Sequence, residues 1–276
     1  MKNDLINSVK RGLEILEIFT SEYPRLKFNE IVVKTKLPKP TVFRFLHTLI
    51  SLDYISFDPV LKSYFLSPKL ISLGAIALSS IGLRESALPH LQQLSQKTGR
   101  NINMGILHDD EIVFIERIEK KQIVKFDFHI GSHINAYQTA LGRAILAFLD
   151  QERFDYVFKR ILSDGHATKV IGTKGELLLR VLEGVRQKGY AIADEEFTPG
   201  LRAIAAPVFD NQNRVEAAIN IPVFSYEVSR AQLMKRYVPL LLDTAKKISA
   251  SLGSTRLTLN DFAGGMKVRQ RSRKIP

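Results

Sequence analysis

The sequence contains no cysteine. That absence excludes disulfides, thiolate zinc sites and a cysteine nucleophile, and it fits a reducing compartment, so the cytoplasm is the expected location. Also lacking is any uninterrupted apolar run near the ~18 residues that a membrane span needs. Met1 to Asp4 carry charge with no apolar block behind them, so neither a secretion signal nor a membrane partner is expected. Catalytic signatures are missing too: there is no G-x-S-x-G, no P-loop, no dinucleotide-binding glycine pattern and no H-E-x-x-H. His166 stands isolated and Asp194-Glu195-Glu196 has no evident nucleophile beside it, which weighs against an enzyme.

What is present is a basic chain of 276 residues with a formal net charge of +12 and 45% hydrophobic residues. Such a chain can bury more than one core, and domains of ~100 to 200 residues make two the expectation. The charge is unevenly placed. Residues 1–80 hold 11 Lys and Arg against 7 Asp and Glu, residues 81–253 hold 23 against 20, and residues 254–276 hold 6 against 1. Basic ends and a nearly balanced middle suit nucleic-acid contact at the extremities and small-molecule work between them.

Val9, Leu13, Leu16 and Phe19 recur at helical spacing before Pro24 and predict a first amphipathic helix. A short helix over Asn29 to Thr35 follows. After the turn Lys36-Leu37-Pro38, Val42, Phe45, Leu46 and Leu49 fall at i, i+3, i+4 and i+7, one buried stripe, with Pro40 tolerated in the first turn. The residues then left outward near the start of that helix are Lys39, Thr41, Phe43, Arg44, His47 and Thr48. Two β-prone runs, Tyr54 to Phe57 and Ser63 to Leu66, surround a turn that ends in Lys62. Helix, helix-turn-helix and hairpin is the order of a winged helix, and Ser67-Pro68 then caps a connecting helix through Ile81.

Further on, a helix over Glu85 to Thr98 should stop at Gly99. Strands are predicted at Ile102 to Leu107, Ile112 to Ile118, Ile123 to His129, Tyr190 to Ala193, Ala203 to Phe209 and Val215 to Ile221. Helices are predicted at Thr139 to Leu149, Gln151 to Ile161, Lys174 to Lys188 and Ser229 to Ser251. This mixture, without strict alternation, reads as a mostly antiparallel sheet carrying helices, an α+β domain.

Two groups of segments resemble the isocitrate lyase regulator (IclR) family. The first is Ser8-Val9-Lys10-Arg11-Gly12-Leu13-Glu14-Ile15-Leu16 leading into Leu37-Pro38-Lys39-Pro40-Thr41-Val42-Phe43-Arg44-Phe45-Leu46. The second is Thr139-Ala140-Leu141-Gly142-Arg143-Ala144-Ile145-Leu146-Ala147, then Gly189-Tyr190, Asp194-Glu195-Glu196 and the run from Gly200 to Val208. Within the family, Ala136-Tyr137 and Ala217 to Ile221 look most like regulators of protocatechuate and β-ketoadipate catabolism. The resemblance implies a winged helix-turn-helix over residues 1–67, a connecting helix over 68–82, a GAF-like effector-binding domain over 83–253 and a basic tail over 254–276. It further implies a regulator of a catabolic operon that binds double-stranded operator DNA and answers to a small carboxylate effector. Assembly as a homodimer or a dimer of dimers is implied as well.

On the DNA side, Arg44 can fork onto guanine O6 and N7, Thr41 can offer a hydroxyl or methyl, and Lys39 and Lys62 can reach phosphate. By residue type alone, Arg44, Lys39 and Lys62 read equally as solvated charges. The family usually has Ser or Thr where this chain has Pro40. On the sensor side, the positions matching the family's effector pocket are Ile123, Phe126, Ile134, Ala140, Leu141, Asp194, Ala203, Asn220 and Pro222. Many members carry Cys in place of Ala203 and Ser near Pro222, so this pocket should be less polar there. Asn220 reads either as a ligand-facing amide or as an edge-strand residue in water, and Tyr137 either as a phenol donor or as core.

His129 and His133 are spaced for a metal only on a helix, which Gly131 argues against, so no metal and no cofactor is expected. A competing reading is nonspecific nucleic-acid binding through Lys267, Arg269, Arg271, Arg273 and Lys274.

Overall fold

The computed structural model describes residues 5–79, 82–120 and 128–255. The chain divides into two compact units, Met1–Ile81 and Gly82–Pro276. No single helix among the described residues is long and apolar enough to cross a membrane.

The first unit runs α1 (Asn7–Glu17), β1 (Arg25–Lys27), α2 (Phe28–Thr35), α3 (Lys39–Ser51), β2 (Ile55–Asp58), β3 (Ser63–Leu66) and α4 (Lys69–Ser79). It is a winged helix-turn-helix. β1 and β2 pair antiparallel with opposite sides of β3, so that Tyr64 lies between Leu26 and Phe57. The strand β1 has too few residues to show a period in the sequence. Ile15, Phe19, Leu26, Ile31, Val42, Leu46, Leu49 and Ile55 form the core of this unit.

α1 buries only part of the face that apolar spacing suggests: Phe19 is buried and Leu16 packs on the core. Ile15 and Phe19 go inward, whereas Val9 and Leu13 remain 57% and 54% exposed. Gly12 lies against the Phe45 ring, where an added Cβ would make ordinary van der Waals contact at 3.9 Å. Between α2 and α3, Lys36 takes the left-handed conformation (φ 56°) and closes α2 with its N–H on the Val32 carbonyl. The extended Pro38 then starts α3, its carbonyl accepting from the Thr41 and Val42 N–H groups at 2.9 and 3.0 Å. At α4, Ser67 Oγ accepts from the Lys69 N–H (3.2 Å) and donates to Asp53 Oδ1 (3.2 Å), a cap that also ties the helix to the wing's base.

The second unit runs α5 (Leu83–Thr98), β4 (Ile102–His108), β5 (Glu111–Ile118), β6 (His133–Asn135), α6 (Ala140–Leu146), α7 (Gln151–Ser163), α8 (Gly165–Ile171) and α9 (Glu176–Lys188). It continues through β7 (Ala191–Asp194), β8 (Leu201–Phe209), β9 (Val215–Phe224), α10 (Arg230–Gln232) and α11 (Val238–Ser251). The six strands form one sheet in the order β6-β5-β4-β9-β8-β7, each neighbouring pair antiparallel. The α+β class is therefore as expected. α6 packs on β4, β8 and β9, with α9 against α6; α5 packs with α11, which also lies on β8 and β9. Side chains alternate along β9. Ala218 joins the α6 core, Asn220 and Pro222 share that face, and Ile219 and Ile221 point to the other.

The strand expected over Ile123 to His129 falls largely outside the described residues. Two other expectations change. The last helix is not regular: a π-helical turn, Leu233–Tyr237, separates α10 from α11. Pro239, in the first turn of α11, has no N–H for the Lys235 carbonyl, and widening the ladder avoids the clash of its ring with that carbonyl. α6 ends earlier than expected, at Leu146, and Asp150 takes an extended conformation to cap α7, accepting from the Arg153 N–H.

Candidate functional site

On the first unit, α3 turns one apolar stripe inward and leaves a polar and aromatic face bare. Val42, Leu46 and Leu49 are buried and Phe45 is half-buried, whereas Lys39, Phe43, Arg44, His47 and Thr48 are exposed and Thr41 is partly so. Phe43 is 61% exposed, a large ring left in water beside Arg44 and His47. Thr48 Oγ1 already donates to the Arg44 carbonyl (3.0 Å), so toward a partner it can act as an acceptor. Lys62 sits at the wing tip with φ 48°. That turn is fixed by Asp58 Oδ1, which accepts from the Val60 and Leu61 N–H groups at 3.0 Å each. The Leu61 N–H above all, with Val60 and Arg25, holds the Asp58 carboxyl below its ordinary range. An exposed helix face carrying Lys39 and Arg44, beside a hairpin whose fixed turn presents Lys62, is the geometry with which winged helices meet a major groove and its flanking phosphates.

On the second unit a cavity lies between the sheet and α6, with about 610 Å³ of atom-free space that includes its opening to solvent. Ile134, Ala140, Leu141, Ala203, Asn220 and Pro222, six of the residues marked by the resemblance, line it. Ile123 and Phe126 lie outside the described residues. Asp194 does not line it: Arg202 Nε takes its Oδ1 at 2.5 Å. Tyr137 is core, 2% exposed, with its hydroxyl accepting from Gln138 and burial raising the phenol's pKa. His133 pairs through Nδ1 with Glu111 (3.1 Å) on the strand pair β5–β6.

The structure adds polar lining residues that the sequence pattern did not mark. Arg117, Asn103 and Asn220 stand opposite one another on β5, β4 and β9, a cross-strand row over three adjacent strands. All three line the cavity, and Arg117 is the only ionisable lining residue among the described residues. Asn103 Nδ2 donates to Asn220 Oδ1 at 2.8 Å. Arg117 was hidden by a bulge: Met104 faces Glu116 but Gly105 faces Phe114, so Ile115 is inserted and the strand's alternation reverses. Thus Phe114 and Arg117, three apart, share the cavity face, while Glu116 is buried and ion-paired to Arg84 (2.7 Å).

The roof of the cavity is held by close packing and a buried cation. Thr139 caps α6 by accepting from the Gly142 N–H (3.0 Å). Arg143 donates to the carbonyls of Tyr137 (2.9 Å) and Ile192 (3.3 Å) and grips both oxygens of Glu196 (2.9 and 2.5 Å). That grip holds the Glu196 carboxyl below its ordinary range despite partial burial.

A helix-turn-helix unit joined in one chain to a cavity-bearing α+β unit defines a transcriptional regulator. The chain belongs to the IclR family. The IclR helix-turn-helix domain matches residues 8–59, and the C-terminal domain of bacterial IclR transcriptional regulators matches residues 75–250. The Pca regulon regulatory protein of Pseudomonas putida is 32% identical over 250 residues, covering 90% of this chain and 85% of that protein. An IclR-family transcriptional regulator from Brucella abortus superposes with a TM-score of 0.74 at 27% identity, covering 91% of this chain and 94% of that one. An IclR homologue from Microbacterium hydrocarbonoxydans, solved in complex with 4-hydroxybenzoate, shares the fold with a TM-score of 0.73 at 21% identity, covering 89% of this chain and 98% of that one.

Proposed function

We propose that the chain is a sequence-specific regulator of a catabolic operon. Residues 1–67 read DNA, 68–82 connect, and 83–253 bind a small carboxylate that changes operator affinity. Lys39, Thr41, Phe43, Arg44, His47, Thr48 and Lys62 form the DNA face, and the protein works in the cytoplasm as a homodimer or dimer of dimers, without catalysis. The observation that carries the effector half is the row Arg117–Asn103–Asn220 in an otherwise largely apolar cavity. One cation and a few polar groups in an apolar pocket suit a compact acid with one greasy face. The 4-hydroxybenzoate bound by one relative and the Pca regulon named for another favour an aromatic acid, in line with the motifs at Ala136-Tyr137 and Ala217 to Ile221.

Selection of bound fragments from randomised DNA tests the DNA half. The wild-type chain is expected to enrich one sequence, and Arg44→Ala is expected to lose about 1 to 3 kcal/mol of discrimination between it and scrambled DNA while remaining folded. An unchanged ratio in the mutant would remove Arg44 from base readout; no enrichment by the wild type would leave only nonspecific binding.

A further inference from the structure

We propose that Asn103 and Asn220 form a hydroxyl reader, so that the effector is a hydroxy acid, and that keto, ether and unsubstituted acids of the same shape are rejected. The inference rests on the effector reading above and names the ligand's second functional group.

Two amides facing each other across adjacent strands satisfy only part of one another. Asn103 Nδ2 donates to Asn220 Oδ1, which leaves Asn103 Oδ1 buried with no hydrogen-bond partner. Asn103 is 4% exposed and Asn220 8%, so water does little for either. Buried acceptors without partners are uncommon and carry a free-energy cost. Swapping oxygen and nitrogen in both amides leaves the same kind of surplus: with one bond made between them, the pair keeps N–H donors on one residue and a carbonyl acceptor on the other.

The chemistry of that surplus selects the ligand group. A carboxylate oxygen, a ketone and a methoxy oxygen only accept, so each would meet the N–H but set a lone pair against the carbonyl. A hydroxyl gives its proton to the carbonyl and takes the N–H on its oxygen, satisfying both at once. Arg117 stands in register one strand further along, its Nε on Glu119 Oε1 (2.8 Å), so the row carries a cation beside the two amides on the cavity face. Of the other polar lining side chains, Thr139 Oγ1 already accepts from the Gly142 N–H (3.0 Å) and Asn101 Oδ1 from the Lys120 N–H (2.7 Å), while Leu141, Ala203 and Pro222 are apolar.

Titration calorimetry on the full chain, with acids in matched sets, tests this. One set is 4-hydroxybenzoate, 4-methoxybenzoate and benzoate; a second is the 3-substituted series; a third is lactate, pyruvate and propionate. In each set that binds, the hydroxy acid is expected to bind about tenfold or more tightly than its partners, since sites built to bond a hydroxyl discriminate strongly against its loss. Asn103→Leu is expected to bring the hydroxy acid down to the level of its partners. Equal binding within the wild-type sets, or an unchanged ratio in Asn103→Leu, overturns the hydroxyl reader and leaves the carboxylate effector standing. If no acid binds in any set, both fall. Should the Leu variant not fold, the wild-type comparison alone decides.

Discussion

Gly142→Ala is expected to destabilise the C-terminal unit by about 3 kcal/mol, the upper end of what overpacking costs. The added Cβ would stand 2.0 Å from the Ala136 carbonyl oxygen and 2.3 Å from its Cα. Both are backbone atoms, so no side chain can swing aside. α6 must lift from the turn before it, and Ala140 and Leu141 lift with it from the cavity they roof. Thermal unfolding of the variant should therefore show a lowered transition together with weakened acid binding. Gly184→Ala is the control: no atom lies within 4 Å of its Cβ, and alanine in the middle of α9 should be neutral or stabilising by roughly 0.5 kcal/mol. Equal stability of the Gly142 and Gly184 variants would mean that α6 is not seated as described.

Arg143→Met should cost about 3 kcal/mol by a different route. The side chain is buried, and its loss strands the carbonyls of Tyr137 and Ile192, each costing roughly 1 to 3 kcal/mol when unpaired. Glu196 is itself about half-exposed and can return to water, so the cost stays below that of breaking a fully buried ion pair. The pH dependence has a definite sign. Glu196 has a lowered pKa in the folded state, so its contribution is present above the ordinary glutamate pKa and is lost as pH falls through the folded value. Denaturant unfolding of the variant should accordingly lose less stability on acidification than the wild type does. The same acid dependence in both proteins would contradict the coupling of Arg143 to Glu196.

The helix-turn-helix was legible because its core obeys helical spacing: Val42, Leu46 and Leu49 went inward where the stripe placed them. The sheet was legible wherever strands were long enough to alternate. Elsewhere the physics was nonlocal. The inward face of α1 depends on how it packs against α2 and α3, and the π turn depends on a proline whose missing N–H matters only inside a helix. At the cavity, Asn220 could be marked from its strand, but its partner Asn103 required the register of β4 on β9. Arg117 was out of reach of any strict alternation, because one inserted residue in β5 moves it from one face to the other. Asp194 illustrates the opposite case, a carboxylate marked by family position that the fold commits to Arg202.

The central claim is that an acid in the cavity changes how tightly the first unit holds its operator. The direct measurement is fluorescence anisotropy of the selected DNA with the full chain, with and without the best-binding hydroxy acid, in wild type and Asn220→Leu. Coupling energies of ~1 to 3 kcal/mol correspond to roughly five- to 150-fold, so the wild type should shift its operator affinity by at least about fivefold on adding acid. Asn220→Leu should bind operator normally and show no shift. An acid that binds the wild type without altering operator affinity, or a shift that survives in Asn220→Leu, would contradict control of DNA binding through this cavity.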